Sequence, residues 1–270
     1  MWILSRYSLV LAALVASALA GSMATAAPRE SVVSVPSRAG VTQSFILMEP
    51  DDAPRAVVIA WPSGDGVIGL TKSGMTHTVA FFPRASARFV AAGLTLALAD
   101  VPSDKPGGLD YDFRVRPEHA KDVAAVIAAV RTRTDLPIFL AGFSRGTLSV
   151  TNAAARLEPG AIAGVILASP VTVRVGIARH SVYDTDLAEI LVPVLTLNHR
   201  DDDCMLTLPS GAPALLDAFT GSQRKESRIL RDGSAVSGDC FAHTPHDFLG
   251  AEAEAVETIT TWIDSVLSSR

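Results

Sequence analysis

The fold of this chain is decided by one stretch, Pro137-Ile138-Phe139-Leu140-Ala141-Gly142-Phe143-Ser144-Arg145-Gly146-Thr147-Leu148-Ser149. Its first half is a short apolar run bounded by a proline, which is typical of a buried strand. The alanine-rich segment from Val150 to Leu157 that follows predicts a helix. Between them stands the pattern Gly-x-Ser-x-Gly. Strand, Gly-x-Ser-x-Gly and helix in that order are the context of a nucleophile elbow.

The sharpness of such a turn explains the glycines on either side of Ser144. The turn forces Ser144 into a strained backbone conformation, and side chains two residues before or after it would collide there. Gly142 and Gly146 avoid that collision. The serine hydroxyl is then presented at the carboxyl end of the strand. The backbone N–H of Arg145 lies at the start of the helix, where the dipole favours an anion.

This segment resembles the elbow of the α/β-hydrolase superfamily, in particular exported bacterial serine hydrolases, and the resemblance covers nearly all of residues 27–270. It implies the α/β-hydrolase fold, with a mostly parallel central sheet and helices on both faces. The alternation of strand and helix after residue 55 favours the same sheet. Gly40, between β-like runs at Ser31–Val35 and Val41–Met48, predicts an N-terminal antiparallel hairpin. Only about twenty residues lie between Ser169 and Val192, so no large lid domain is expected.

The resemblance also implies a serine, an acid and a histidine in that order. A hydroxyl is a poor nucleophile, so it needs a base within hydrogen-bond reach and a carboxylate that orients the base. Ser144 is the predicted nucleophile. The acid is expected in the run Asp201-Asp202-Asp203, at the end of a predicted strand. Alignment of that strand end with the family pattern favours Asp202, and Asp201 is the alternative.

Two histidines compete for the role of the base. His246-Asp247-Phe248 resembles the family's His-x-Phe segment before the last helix, which favours His246 over His243. The pair His243-x-x-His246 with nearby aspartates can also be read as metal ligands. Because the flanking pattern already matches the base position, we expect neither a metal nor another cofactor.

The predicted oxyanion hole combines two backbone N–H groups. One belongs to Arg145. In the resembled fold the other comes from the loop after the strand at Arg55–Trp61. There this chain has Pro62-Ser63 in place of the family's His-Gly pair, and Gly64 is the favoured donor. An ordinary glycine turn is the alternative. The long segment from Asp100 to Arg116 is a candidate wall of the pocket.

Cys204 and Cys240 are the only cysteines of the chain. One follows the acid loop and the other precedes the histidine loop. In an exported protein, two cysteines in these places predict a disulfide. Two unpaired buried thiols are the alternative.

The N-terminus predicts export. Arg6 is followed by a short apolar run, and Ala24-Thr25-Ala26 offers a cleavage site. We therefore expect a signal peptide at residues 1–26 and a single domain at residues 27–270, located in the periplasm or secreted. No membrane association is expected after the signal is removed. A net charge of −5 without a basic patch gives no support for nucleic-acid binding.

Together these observations predict an exported serine hydrolase that cleaves a carboxylic ester or related acyl bond of a small molecule. A peptidase or a lactonase would use the same three residues. A non-catalytic binding protein is the alternative from another class, because a fold does not by itself fix a function. The altered Pro62-Ser63 loop leaves room for it.

Overall fold

The structure is a computed structural model that describes residues 29–77, 79–233 and 238–269. The predicted signal peptide at residues 1–26 lies outside the described residues. None of the described helices combines the length and the hydropathy that a membrane span requires.

One sheet of eight strands organises the described chain, with a two-stranded ribbon, β4–β5, beside it. The strands are β1 Arg29–Arg38, β2 Val41–Glu49, β3 Val57–Trp61, β4 Leu70–Thr71, β5 Gly74–Met75, β6 Thr95–Pro102, β7 Ile138–Phe143, β8 Gly164–Ala168, β9 Val194–His199 and β10 Lys225–Leu230. The order across the large sheet is β1-β2-β6-β3-β7-β8-β9-β10. The six strands from β6 to β10 in that order are parallel, whereas β1 and β2 form an antiparallel hairpin that also runs antiparallel to β6. The predicted mostly parallel sheet and N-terminal hairpin are confirmed.

Helices cover both faces of the sheet, as predicted. They are α1 Phe81–Ala91, α2 Tyr111–Arg114, α3 Pro117–Arg131, α4 Gly146–Ala154, α5 Ala212–Ala218 and α6 Glu252–Leu267. The apolar side chains of α1 and α6 belong to the core on one face, and those of α3, α4 and α5 belong to the core on the other. Strands β3, β7, β8 and β9 are therefore buried along their whole length. This is why they are continuous apolar runs rather than alternating ones.

The strand order reverses beside β3. The chain passes from β3 outward to β6 and then returns to place β7 on the opposite side of β3. Ligands of parallel α/β sheets bind outside the carboxyl ends of the strands at such a reversal. The loop after β3 and the turn after β7 meet at this place, so the topology brings Gly64 and Ser144 to one edge of the sheet.

Two predicted bounds need correction. The helix after the elbow runs over Gly146–Ala154 rather than Val150–Leu157. It begins directly after the turn because packing between β7 and α3 outweighs the low helix propensity of its first residues. The predicted loop from Asp100 to Arg116 contains the last three residues of β6 and the whole of α2. The side chain of Asp110 caps α2 by accepting from the N–H of Phe113 at 2.7 Å.

The connection from β8 to β9 is compact and carries no lid domain. Within residues 169–193, which are all described, it forms a tight turn closed between Val175 and Ala178 and two short 3₁₀ turns, Val182–Asp184 and Leu187–Glu189. No large lid domain is therefore inserted between β8 and β9, in agreement with the prediction.

Candidate active site

The turn after β7 holds Ser144 in a conformation that few residues adopt. Its φ is +50°, in the left-handed region. A Cβ on Gly142 would overlap the backbone of Gly146, and a Cβ on Gly146 would overlap the carbonyl oxygen of Trp61 at the end of β3. The second glycine is therefore required by the neighbouring strand rather than by Ser144 itself, which refines the sequence-based explanation. Both glycines allow α4 to begin against the sheet.

A hydrogen-bonded chain joins Ser144, His246 and Asp202, which come from three separate loops. The Oγ of Ser144 lies 3.1 Å from Nε2 of His246, and Nδ1 of His246 lies 3.1 Å from Oδ2 of Asp202. All three side chains are buried. The structure thus brings together the three residues that the sequence predicts as nucleophile, base and acid. Such a chain can move a proton from the hydroxyl to the imidazole.

The competing residues lie elsewhere. Asp201 points outward and pairs with the exposed Arg200, whose guanidinium lowers the pKa of that carboxyl. His243 is exposed, and its backbone N–H donates to Asp247. Neither side chain reaches Ser144.

Among the described residues, Asp202, Cys204 and His246 form a group whose potential metal-ligand atoms lie within 4.8 Å of one another. His243 does not belong to it. The sulfur of Cys204 is bonded to Cys240, and a disulfide sulfur is not the thiolate that a metal prefers. The remaining imidazole and carboxylate already bond each other, so the group fits a proton relay better than a metal.

Thr207 is a site residue that the sequence analysis missed. Its hydroxyl donates to Oδ2 of Asp202 at 2.9 Å and lies 3.0 Å from Nδ1 of His246. The N–H of Cys204 donates to the other carboxylate oxygen, Oδ1, at 3.0 Å. The N–H of Cys204 and the hydroxyl of Thr207, both in the loop after β9, therefore orient the carboxylate independently of its bond to the imidazole. A lone threonine in a loop carries no sequence signal of such a role.

The loop of His246 is anchored by polar contacts to two parts of the fold, the end of β8 and the start of α1. The carbonyl of His246 accepts from the hydroxyl of Ser169 at 3.0 Å. The neighbouring Asp247 accepts from the N–H of Phe81 at 2.9 Å and forms an ion pair of 2.5 Å with Arg84. Burial raises the pKa of Asp247, and Arg84 opposes this rise. Asp247 thus ties the histidine loop to the start of α1.

Aromatic rings pack against the loop that carries His246. Phe248 adopts φ +56° and lies 4.9 Å from the ring of Phe81 and 5.8 Å from that of Phe143. The imidazole of His246 lies 5.3 Å from Phe143, the residue before Ser144. The ring of the predicted base is therefore confined by packing as well as by hydrogen bonds.

The N–H of Arg145 precedes the hydrogen bonds of α4. The first of these bonds are donated by Thr147 to the carbonyl of Ser144 and by Leu148 to the carbonyl of Arg145. The N–H groups before them have no partner within the helix. Arg145 is therefore placed to donate at the positive end of the helix dipole. Its guanidinium lies over the ring of Tyr111, 4.7 Å from the centroid.

Gly64 lies in a tight turn after β3. Its φ is +62°, and the turn is closed by a hydrogen bond of 3.0 Å from the N–H of Gly66 to the carbonyl of Ser63. The carbonyl of Gly64 accepts from the guanidinium of Arg114 at 3.1 Å. The Pro62-Ser63 loop thus forms an ordered turn beside the elbow. The oxyanion role of Gly64 and Arg145 stays a prediction.

The disulfide between Cys204 and Cys240 is present, with 4.7 Å between the Cα atoms. It joins the loop of Asp202 to the segment that leads to His246. Cys204 is fully buried, and its N–H is one of the two groups that orient Asp202. One cysteine of the bridge is therefore hydrogen-bonded, through its backbone N–H, to the predicted acid.

Comparison with known proteins finds likeness in structure but not in sequence. No family model and no curated protein matches the chain. Solved structures do match. A cold-adapted esterase from an Arctic intertidal metagenomic library is 16% identical, with a TM-score of 0.59 over 87% of this chain and 94% of that one. A thermostable carboxyl esterase from Bacillus coagulans is 13% identical, with a TM-score of 0.60 over 88% of this chain and 98% of that one.

A third similar structure is an α/β serine hydrolase without a lid from Xanthomonas campestris. It is 19% identical, with a TM-score of 0.53 over 87% of this chain and 95% of that one. At such low identities, the likeness concerns the path of the chain over nearly its whole length. Together with the strand order and the turn after β7, it shows that this chain has the α/β-hydrolase fold.

Proposed function

We propose that this protein is a serine hydrolase that cleaves a carboxylic ester or a related acyl bond. The observation that carries the proposal is the chain of hydrogen bonds from Ser144 through His246 to Asp202. It lies at the carboxyl ends of β7 and β9, beside the reversal of strand order. The esterases among the similar structures support the same reaction class.

In the proposed reaction, Oγ of Ser144 attacks the carbonyl carbon of the ester while its proton passes to Nε2 of His246. The carbonyl oxygen becomes an oxyanion, which accepts hydrogen bonds from the N–H groups of Arg145 and Gly64. Collapse of the intermediate breaks the bond to the alcohol, which leaves with the proton from His246. Water then attacks the acyl group on Ser144 by the same route in reverse and releases the acid.

Asp202 keeps the imidazole in the tautomer that the reaction needs. Its Oδ2 accepts at Nδ1 of His246, so the proton stays on Nδ1 and the lone pair on Nε2 faces Ser144. The carboxylate also stabilises the imidazolium that forms after proton transfer. Cys204 and Thr207 hold its two oxygens in place for this role.

An exposed apolar strip beside the site supports a substrate with an apolar group. We define the apolar strip as Val173, Val175, Ile177, Met205 and Phe241, all of which are exposed. Ile177 is at the tip of the tight turn between β8 and β9 and is 79% exposed, and Phe241 is 73% exposed. Contiguous exposed apolar patches mark binding sites, and we assign this role to the strip.

Backbone contacts join the two loops that carry most of the strip. The N–H groups of Thr172 and Val173 both donate to the carbonyl of Leu206. These bonds join the loop after β8 to the loop after β9. Met205 and Phe241 directly follow the two bonded cysteines, so the disulfide brings them together. The predicted acid Asp202 precedes Met205 by three residues, and the predicted base His246 follows Phe241 by five. We therefore place the apolar part of an ester along this strip.

The acyl-chain preference tests the function and the strip together. For p-nitrophenyl esters from acetate to hexanoate, we expect kcat/KM to rise by about twofold per methylene, since a fully buried methylene corresponds to about fourfold. Ile177→Ser and Phe241→Ser should flatten this rise. Leu191→Ser is the matched control, because Leu191 is also exposed but lies before the amino end of β9. An amide and a lactone of the same acyl group separate an esterase from a peptidase or a lactonase. No turnover of any member would contradict the proposed function.

Export to the periplasm or the medium belongs to the proposed function. The composition of residues 1–26 and the disulfide both support it, since disulfides persist in oxidising compartments. Intact-mass analysis of protein recovered outside the cytoplasm should give a chain that begins near residue 27. A chain that keeps residues 1–26 there would contradict cleavage.

The disulfide is expected to support activity as well as stability. Cys204→Ser/Cys240→Ser should lower the free energy of unfolding by about 4 kcal/mol on the chain-entropy model, for a sequence separation of 36 residues. Its kcat should also fall by about tenfold, because displacement of a catalytic group by about 1 Å can cost about a hundredfold. Esterase rate and far-UV circular dichroism are measured together during titration with a reductant. An unchanged rate in folded protein whose thiols are counted as free would refute the functional part.

A further inference from the structure

A fully buried guanidinium lies behind the candidate active site. Arg114, at the end of α2, has no exposed surface. Its Nη1 donates to Oγ of Ser149 at 2.7 Å, and its Nη2 donates to the carbonyl of Gly64 at 3.1 Å. Ser149 belongs to α4, the helix that begins at the elbow, whereas Gly64 belongs to the turn after β3. One side chain therefore connects the two segments that carry the predicted oxyanion donors.

This cation has no carboxylate in contact. Among the residues that the structure describes, none forms an ion pair with Arg114; the charge of Arg145 repels it, and the more distant carboxylates of Asp65 and Asp110 offset this only in part. Burial, together with Arg145, lowers the pKa of Arg114 to about 9. Burial of an unpaired charge is costly. A neutral residue of the same size would avoid that cost, so the position of the charge calls for a functional explanation.

The surrounding chain is shaped to hold this side chain. A Cβ on Gly66 would lie 2.9 Å from Nη2 of Arg114, so glycine at that position leaves room for the guanidinium. The side-chain amide of Asn152, also on α4, donates to the carbonyls of Arg114 and Arg116 at 2.9 and 2.7 Å. Both the side chain and the backbone of Arg114 are thus fixed against α4. The turn after β3 is in turn fixed by Arg114.

We propose that Arg114 is the positioning residue of the oxyanion hole. By holding the carbonyl of Gly64, it fixes the peptide between Gly64 and Asp65, directly after the predicted donor N–H of Gly64, and by holding Ser149 it keeps that turn in register with α4. It is shielded from substrate, so it acts through the donors and not by contact. The inference rests on the proposed hydrolase function.

A residue with this role affects the transition state more than the bound ester. For Arg114→Met we expect kcat to fall by about thirtyfold to a hundredfold, with KM changed by less than about threefold, since loss of one oxyanion donor costs about a hundredfold or more. Affinity for an alkyl boronic acid, which forms a tetrahedral adduct with an activated serine, should fall in proportion to kcat/KM. In a folded variant, loss of a residue that served only folding would change neither kcat/KM nor the affinity for the boronic acid.

The experiment compares four variants by steady-state kinetics, boronic-acid inhibition and circular dichroism. Arg114→Met removes the charge and both hydrogen bonds, and Arg114→Lys keeps the charge without the fork that reaches two acceptors. Ser149→Ala removes only the contact to α4, with an expected loss in kcat of about threefold to tenfold. Arg116→Met is the matched control, since Arg116 is two residues away and exposed. It should leave kcat within about twofold.

A folded Arg114→Met protein that keeps kcat within threefold of wild type would overturn the inference. A rise in KM at constant kcat would overturn it too, because it would indicate substrate binding. If Arg114→Met does not fold, Ser149→Ala and Arg114→Lys decide, and unchanged kcat in both folded proteins is the refuting result. Wild-type protein without ester turnover would instead refute the proposed function, so the two failures are distinguishable.

Discussion

Replacement of Ser144 by alanine is expected to lower kcat for a chromogenic ester by about a millionfold, the size of effect that loss of a triad serine has in a serine protease. The physical reason is that no other hydroxyl lies within hydrogen-bond distance of Nε2 of His246 among the described residues. Removal of the nucleophile therefore leaves only the weak catalysis by the oxyanion donors. The measurement is the initial rate of p-nitrophenyl ester hydrolysis at saturating substrate.

Stability separates loss of chemistry from loss of fold. Ser144 has φ +50°, a conformation that costs a residue with a Cβ about 1–2 kcal/mol and costs glycine little. Ser144→Gly should therefore be more stable than Ser144→Ala by about 1 kcal/mol in denaturant titration, although both are inactive. A Ser144→Ala protein that is folded and retains a tenth of the wild-type rate would rule out Ser144 as the nucleophile.

The second large effect is expected for Asp202→Asn, with a loss of about ten-thousandfold in kcat. The carboxylate accepts from Cys204 at one oxygen and from Thr207 and His246 at the other. Asparagine has only one oxygen, so its amide N–H₂ must face either the backbone donor or the imidazole. An amide N–H₂ that faces the imidazole favours the tautomer with its proton on Nε2, which cannot accept the proton of Ser144.

Asp201→Asn is the matched control for this variant. It makes the same chemical change one residue earlier, but Asp201 pairs with Arg200 at the surface. We expect kcat within about twofold of wild type. If Asp201→Asn lost the activity and Asp202→Asn kept it, the acid would be assigned wrongly and the second aspartate of the run would be the structural one.

Much of the fold was predictable because local and global signals agree. The run Ile138–Phe143 is apolar on both faces, which only a central strand of a covered sheet requires. Gly142 follows from a steric limit within the turn itself, which the sequence expresses, whereas Gly146 is required by the carbonyl oxygen of Trp61 on the neighbouring strand. The hairpin around Gly40 and the short β8–β9 connection were likewise visible, because chain length and turn residues constrain them directly.

The remaining features depend on contacts between residues far apart in the chain. The choice of Asp202 over Asp201 is made by donors from Cys204 and Thr207, which no periodicity reveals. Arg114 is charged and lies in a loop-like segment, so composition places it at the surface, whereas the structure buries it completely. The early start of α4 has the same origin, since tertiary packing outweighs local propensity at Gly146.

The central claim is that Ser144 is an activated nucleophile, and labelling with a fluorophosphonate probe tests it most directly. The folded wild-type protein should take up about one equivalent of probe, and peptide mass spectrometry should locate the adduct on Ser144. His246→Ala, which removes the base that lies 3.1 Å from Oγ, should abolish labelling while circular dichroism stays unchanged. A folded wild-type protein that carries no adduct on Ser144 would contradict the account.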